Sequence, residues 1–272
     1  MTSTFHVRGG RPLDGEITVR GAKNLVSKAM VAALLGESPP SILHSVPDIR
    51  DVQIVSQLLS IHGVKVERDV AGGTIRMDPS NVERAHATEI DAHAGSSRIP
   101  ILFCGPLLHR LGGEAIIPDL GGCRIGDRPI NYHLDVLRKF GAVVDKREMG
   151  ISITAPNGLT GTRIHLEYPS VGATEQVLLT AVRAQGITEL SNAAVEPEIE
   201  DLIAVLQKMG GAHHPADRSH HHDRRGGGAP RRLRARGHPR PDRGRLLGVR
   251  GAGHPGIGVH PGARSRSRWR RS

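Results

Sequence analysis

Apolar residues recur at three- and four-residue spacing in three stretches, DVQIVSQLLSIHGVKVE, YHLDVLRKFGAVVD and EIEDLIAVLQKMGGA. Each predicts an amphipathic helix ended by a glycine, at Gly63, Gly141 and Gly210. Proline opens two of them, Pro129 and Pro197, where a missing N–H costs nothing, and Pro47 precedes the other. Upstream of each lies a second helical stretch: GAKNLVSKAMVAALLGE, SSRIPILFCGPLLHRLGG and SVGATEQVLLTAVRAQG. Short strand-like runs, SILHSV, EAIIPD and TELSNA, separate the two helices of each pair. After the first two glycine stops come hairpin patterns, VKVERDVAGGTIRMDP and AVVDKREMGISITAP. The unit is strand, helix, strand, helix, hairpin, and it recurs at roughly seventy to eighty residues. Self-similarity at that period predicts an α/β domain of units sharing one core.

The third unit breaks off. After Gly211, where a hairpin is due, the chain reads AHHPADRSHHHDRRGGGAPRRLRARG. This predicts a domain over 21–211, with units at about 21–88, 89–160 and an incomplete 161–211. The segment 212–272 is expected to be disordered. Charge follows the same boundary. The net charge of +10 invites a nucleic-acid partner, yet residues 212–272 carry 16 Arg against 3 Asp, and the body before them is mildly acidic. Cys104 and Cys123, the two cysteines, make no disulfide framework. No basic-then-apolar leader and no apolar run of about 18 residues occurs, which predicts a soluble cytoplasmic protein without a membrane partner.

Candidate chemistry sits at equivalent places in the units. Lys23 and Asn24 begin the first helix of unit one, Arg98 that of unit two, and Ser170, Val171 and Gly172 that of unit three. Helix N-termini offer free N–H groups and a positive dipole end, so three brought together would bind phosphate-rich ligands. Cys123 lies in a glycine-rich loop, DLGGCRIGDRP, beside Arg124 and Arg128. Neighbouring cations and loop amides favour a thiolate, so this thiol is the candidate nucleophile or acid. Cys104, inside IPILFCGPLL, is expected to be buried and inert. His44, His62, His93 and His109 have no metal-site spacing, and GGCRIG is neither a Walker loop nor a dinucleotide fingerprint.

GGRPLDGEITVRGAKN, SSRIPILFCGPLLHRLG, GGCRIGDRPINYH, YPSVGATEQVLLTA and NAAVEPEIEDLIAVLQKMG, in that order, resemble the enolpyruvyl transferases of the EPSP synthase superfamily. GAKN suits the shikimate-pathway branch as well; the cysteine loop followed by Arg128-Pro129 favours the cell-wall branch. The resemblance implies an inverse α/β fold of two domains, each of three such units. It implies transfer of enolpyruvyl from phosphoenolpyruvate to the 3-hydroxyl of UDP-N-acetylglucosamine by addition and elimination, with no metal or organic cofactor. By residue, it makes Lys23, Arg98 and Arg128 phosphoenolpyruvate contacts. Asn24, the run Arg128, Pro129, Ile130, Asn131 and Tyr132, and Ser170, Val171 and Gly172 become nucleotide-sugar contacts. Cys123 becomes the general acid and the target of fosfomycin, so that Cys123, Lys23 and Arg128 form the catalytic set.

The resemblance stops near Gly210, and family members run to roughly four hundred residues or more. The chain is therefore expected to lack the second domain, whose sheet the strands of residues 1–20 would join, and to be inactive alone. Two readings of 212–272 stand. One is a disordered basic arm that holds nucleic acid non-specifically, which carries a nucleic-acid-binding alternative. The other is translation out of frame from GC-rich DNA. The second accounts for details the first does not: where the family hairpin reads Gly-Ala-Ile-Ile, this chain has Gly-Ala-His-His, and ATC ATC offset by one base gives CAT CAT. The run His220-His221-His222 arises the same way from ATC ACC ATC.

Overall fold

The computed structural model describes residues 6, 8–10, 14–16, 21–121, 129–148, 150–215 and 232–236. Unit one runs α1 (Lys23–Ala32) with a 3-10 turn (Ala33–Leu35), β1 (Ser41–His44), α2 (Arg50–Ile61), β2 (Lys65–Asp69) and β3 (Thr74–Asp78). A short α3 (Ala87–Asp91) leads into unit two. That unit has a 3-10 segment (Ile99–Phe103) passing into α4 (Cys104–Leu111), then β4 (Glu114–Ile117), α5 (Asn131–Lys139), β5 (Val143–Lys146) and β6 (Ile151–Thr154). Unit three has β7 (Arg163–His165), α6 (Val171–Ala181), β8 (Ile187–Ser191), α7 (Pro197–Lys208), β9 (Ala212–Pro215) and β10 (Arg232–Arg236).

Burial sorts the helices into two layers. α1, the 99–111 segment and α6 are buried over most of their length, and they pack on one another. α2 and α7 bury one stripe each, Val52–Val55–Leu58–Leu59 and Ile199–Leu202–Val205–Leu206. These are the three- and four-residue spacings of the sequence, and each fully buried aliphatic side chain contributes about 1.5–3 kcal/mol. α5, α6 and α7 pack in succession, and α1 lies against both α2 and α7.

The three sheets share one order. The first is β1-β3-β2, the second β4-β6-β5, and the third β7-β8-β10-β9. In each, the strand after the inner helix pairs antiparallel with the return strand of the hairpin. β7 adds a parallel neighbour to β8. Strands β9 and β10 correct the expectation of an irregular chain from residue 212. They take the same places beside β8 that β2 and β3 take beside β1. The physical reason is that an open strand edge pairs through main-chain groups, which make few demands on side-chain identity.

Other departures are local. The 96–113 stretch is not one α-helix: starting α4 at Cys104 leaves Pro106 in the first turn, where its missing N–H breaks no bond, and Pro100 falls in the tighter 3-10 segment. Pro129 stands two residues before α5 rather than opening it, whereas Pro197 is the first residue of α7 as expected. α3 was not foreseen. Residues 1–5, 7, 11–13 and 17–20, from the stretch expected to form N-terminal strands, lie outside the described residues. Among the described residues no helix is long and apolar enough to cross a membrane.

Candidate active site

The inner helices have a polarity that side chains reveal. At one end arginines cap carbonyls: Arg183 donates to Leu35 O at 2.9 Å and to Glu37 Oε1 at 2.8 Å, and Arg110 donates to Pro79 O at 2.7 Å and to Gly36 O. Cations suit helix C-termini. The other end gathers the helix starts. Lys23, the first residue of α1, meets Asp51 in the first turn of α2 at 3.3 Å. Asn24 donates from Nδ2 to Glu198 Oε1, in the first turn of α7, at 3.0 Å. On the other side of the bundle His133, in the first turn of α5, lies against Gly172 at the start of α6. A methyl group on Gly172 would stand 2.8 Å from His133 Nε2.

The cap chemistry differs between the inner helices. Ser170 caps α6 by accepting from Ala173 N at 3.3 Å. α1 has no side-chain cap and no acid in its first turn, so its leading N–H groups have no side-chain acceptor of their own. In unit two, Ser97 Oγ accepts from Ile99 N at 3.2 Å beside Arg98. Arg98 reaches His133 through its charge: burial first, and Arg98 after it, push the imidazole down to about 4. His133 is therefore neutral at neutral pH.

Between the two halves lies a buried pair. Lys28 of α1 meets Glu175 of α6 at 3.5 Å. Burial pushes the Glu175 carboxyl up to about 7; Lys28 opposes that rise, and Glu198 and Glu196 add to it. Inside α6 two threonines donate to the preceding turn. Thr174 Oγ1 donates to Ser170 O at 2.8 Å and accepts from Ala194 N at 3.0 Å. Thr180 Oγ1 donates to Gln176 O at 2.7 Å.

Lys23, Asn24, Arg98, Ser170, Val171 and Gly172 thus all fall at helix starts, and α1, α6 and the 99–111 segment pack together. Cys123 and Arg128 lie outside the described residues. The stem of their loop does not: Gly95 N donates to Asp119 O at 2.8 Å and Gly121 N to Ser97 O at 3.1 Å, which ties the chain entering the loop to the residues before Arg98. The chain leaving it runs through Pro129 and Ile130 into α5. Pro129 and Asn131 are exposed. Ile130, Tyr132 and Val171 pack partly on the core, so much of their side-chain surface is turned from solvent. Cys104 is fully buried and burial pushes its thiol up, which matches an inert cysteine. Among the described residues no group of three or more His, Cys, Asp or Glu could hold a metal ion.

Sequence reasoning passed over Lys28, Asp51, His133, Glu175 and Glu198. A signal existed for two of them. Glu175 is the single charged residue of α6, and Lys28 follows Asn24 by four residues, on the same helical face.

Residues 7–229 match the family model described as EPSP synthase (3-phosphoshikimate 1-carboxyvinyltransferase). Among curated relatives, the UDP-N-acetylglucosamine 1-carboxyvinyltransferase of Protochlamydia amoebophila (strain UWE25) is 41% identical over 208 residues, covering 75% of this chain and 44% of that protein. The protein of the same name from Acidiphilium cryptum (strain JF-5) is 45% identical over 211 residues, covering 76% and 48%. The chain spans a little under half the length of these relatives. Among solved structures, the enolpyruvyl transferase NikO from Streptomyces tendae aligns with a TM-score of 0.71 at 21% identity, over 89% of this chain and 52% of that one. An EPSP synthase from Acinetobacter baumannii aligns at 0.62 and 18%, over 86% and 49%. Likenesses at those identities establish the fold.

Proposed function

The chain belongs to the EPSP synthase family of enolpyruvyl transferases, and on that premise we propose that it carries one half of a site that moves enolpyruvyl from phosphoenolpyruvate to the 3-hydroxyl of UDP-N-acetylglucosamine. The observation that carries the reading is the equivalent placement of Lys23–Asn24, Arg98 and Ser170–Gly172 at the starts of the three inner helices. The names of the curated relatives support the acceptor. In this reading the protein works in the cytoplasm at the first committed step of peptidoglycan synthesis, and so serves cell-wall biogenesis, cell shape and division.

The chemistry divides among the residues as follows. Lys23, Arg98 and Arg128 neutralise the phosphate and carboxylate of phosphoenolpyruvate and fix its orientation. Cys123 gives a proton to the methylene carbon as the sugar oxygen bonds to the neighbouring carbon and releases its own hydroxyl proton to a general base or water. Loss of a proton from the resulting methyl group then breaks the bond to the phosphate oxygen, and phosphate leaves with the enol ether restored. Helix-start N–H groups, with Asn24 and residues 128–132 and 170–172, hold the nucleotide sugar.

Calorimetric titration tests the acceptor. We expect UDP-N-acetylglucosamine to bind and shikimate 3-phosphate not to bind. Binding of shikimate 3-phosphate alone would move the chain to the shikimate branch. Binding of neither, with phosphoenolpyruvate present, would overturn the reading.

A further inference from the structure

We infer that Glu198 is a positioning residue: it fixes which end of the Asn24 amide faces the acceptor substrate. The inference rests on the function proposed above and adds a residue to it. An ionised carboxylate only accepts hydrogen bonds, so the Asn24 group turned toward it, at 3.0 Å, is the amide nitrogen. That settles an orientation which Asn24 alone leaves open, because its two ends are alike in shape. With one of its two N–H groups given to Glu198 of α7, the amide keeps for a ligand its carbonyl oxygen Oδ1, an acceptor, and one further N–H. Asn24 is exposed at the start of α1, a helix end with no side-chain cap.

Glu198 is itself held. It is the second residue of α7, where the helix dipole favours a negative charge. Its neighbour Ile199 is buried, as is Leu202 one turn on. Asn24 and Lys28 share a face of α1, and that face meets two carboxylates: Lys28 turns inward to Glu175 and Asn24 outward to Glu198. Lys23 is drawn the other way, to Asp51. The two polar residues at the tip of α1 are therefore splayed by acids on the two flanking outer helices.

The chemistry separates the two substrates. An acceptor oxygen at Asn24 suits a ligand with hydroxyl or amide N–H donors, as an N-acetylated sugar has. It offers nothing to phosphoenolpyruvate, whose phosphate and carboxylate are acceptors at neutral pH. Glu198→Gln keeps the shape but presents either an N–H or a C=O to Asn24, so the orientation is no longer imposed.

The test is calorimetric titration of the full chain and of Glu198→Gln with UDP-N-acetylglucosamine and, separately, with phosphoenolpyruvate, alongside the Asn24 side-chain amide signal in ¹⁵N NMR. We expect about tenfold weaker sugar-nucleotide binding in the variant, phosphoenolpyruvate binding changed less than about twofold, and a displaced Asn24 signal. Equal weakening of both ligands, unchanged sugar-nucleotide binding, or an Asn24 signal indifferent to the substitution each overturns the inference while leaving the proposed function standing. A wild-type chain that binds neither ligand overturns both. Glu198→Ala, which leaves the nitrogen unpartnered, should weaken sugar-nucleotide binding in the same direction, and a normal affinity in that variant also counts against the inference.

Discussion

Glu175 ionises near 4.5 in an ordinary setting, and burial in α6 raises it to about 7 despite Lys28 at 3.5 Å. Between those values the folded chain keeps a proton that the unfolded chain releases, so this group's contribution falls as pH rises through the window and stays low above it. The full change is about 3 kcal/mol. His109 and His133 act in the opposite sense. Burial lowers each from 6.5 to about 4, so the unfolded chain binds protons there that the folded chain does not, and stability rises with pH across that range. Glu175→Gln isolates the carboxylate. The stability of the wild type relative to this variant, from urea denaturation at pH 5 and pH 8, should drop between the two; a pH-independent difference would contradict the assignment. The cysteines give a second residue-level expectation. Cys104 is fully buried with its thiol pushed up, so alkylation of the native protein should spare it and mark Cys123. Cys104 was readable in the sequence because its neighbours are apolar. Glu175 shows in the sequence only as a charge inside a helix; its pairing does not show, because Lys28 lies 147 positions away on another helix and one chain's pattern does not reveal long-range pairs.

Helix ends were the most legible elements. Gly63, Gly141 and Gly210 follow α2, α5 and α7 at φ of 78°, 97° and 95°, in the region that favours glycine. They are not equally demanding. A methyl group on Gly141 would find its nearest neighbour, Gly158 O, at 3.7 Å, whereas one on Gly63 would press on the Asn81 carbonyl oxygen. Gly141→Ala should cost about 1–2 kcal/mol from backbone conformation alone. Gly63→Ala adds a steric clash, and we expect about 3 kcal/mol. Equal losses in urea denaturation would show that the clash relaxes freely. Less legible was the 99–111 segment, where apolar periodicity is continuous but two prolines divide the hydrogen bonding into 3-10 and α portions. Periodicity reports which side is buried, and proline decides which carbonyls find donors. Strands β9 and β10 were missed for a related reason. Their residues lack the apolar alternation that marks a hairpin, but β8 offers an unpaired edge, and backbone pairing fills it. Ending the chain after Gly211 removes that pairing, so the midpoint of thermal unfolding should fall by several degrees; an unchanged midpoint would mean that β9 and β10 contribute nothing to the third unit.

At the scale of the molecule, the repeat explains how polar residues from separate units come to be a candidate site. Three copies of one unit place their inner helices side by side, so residues far apart in sequence, from Lys23 to Gly172, share one end of the bundle. The period, the helix starts and the family resemblance were all present in the sequence. The clamping acids Asp51 and Glu198 were not, because they sit on the outer helices and become partners only when the layers pack. The central proposal is that these helix starts and the loop bearing Cys123 form one enolpyruvyl site; the bonds from Gly95 and Gly121 tie the chain entering that loop to the residues before Arg98. The direct measurement is mass spectrometry of the protein treated with fosfomycin in the absence and presence of phosphoenolpyruvate. The account predicts an adduct on the peptide carrying Cys123, slowed by phosphoenolpyruvate because both need the same cations, and slowed less in Lys23→Ala. An adduct that forms at the same rate with and without phosphoenolpyruvate, or none on Cys123, would contradict it.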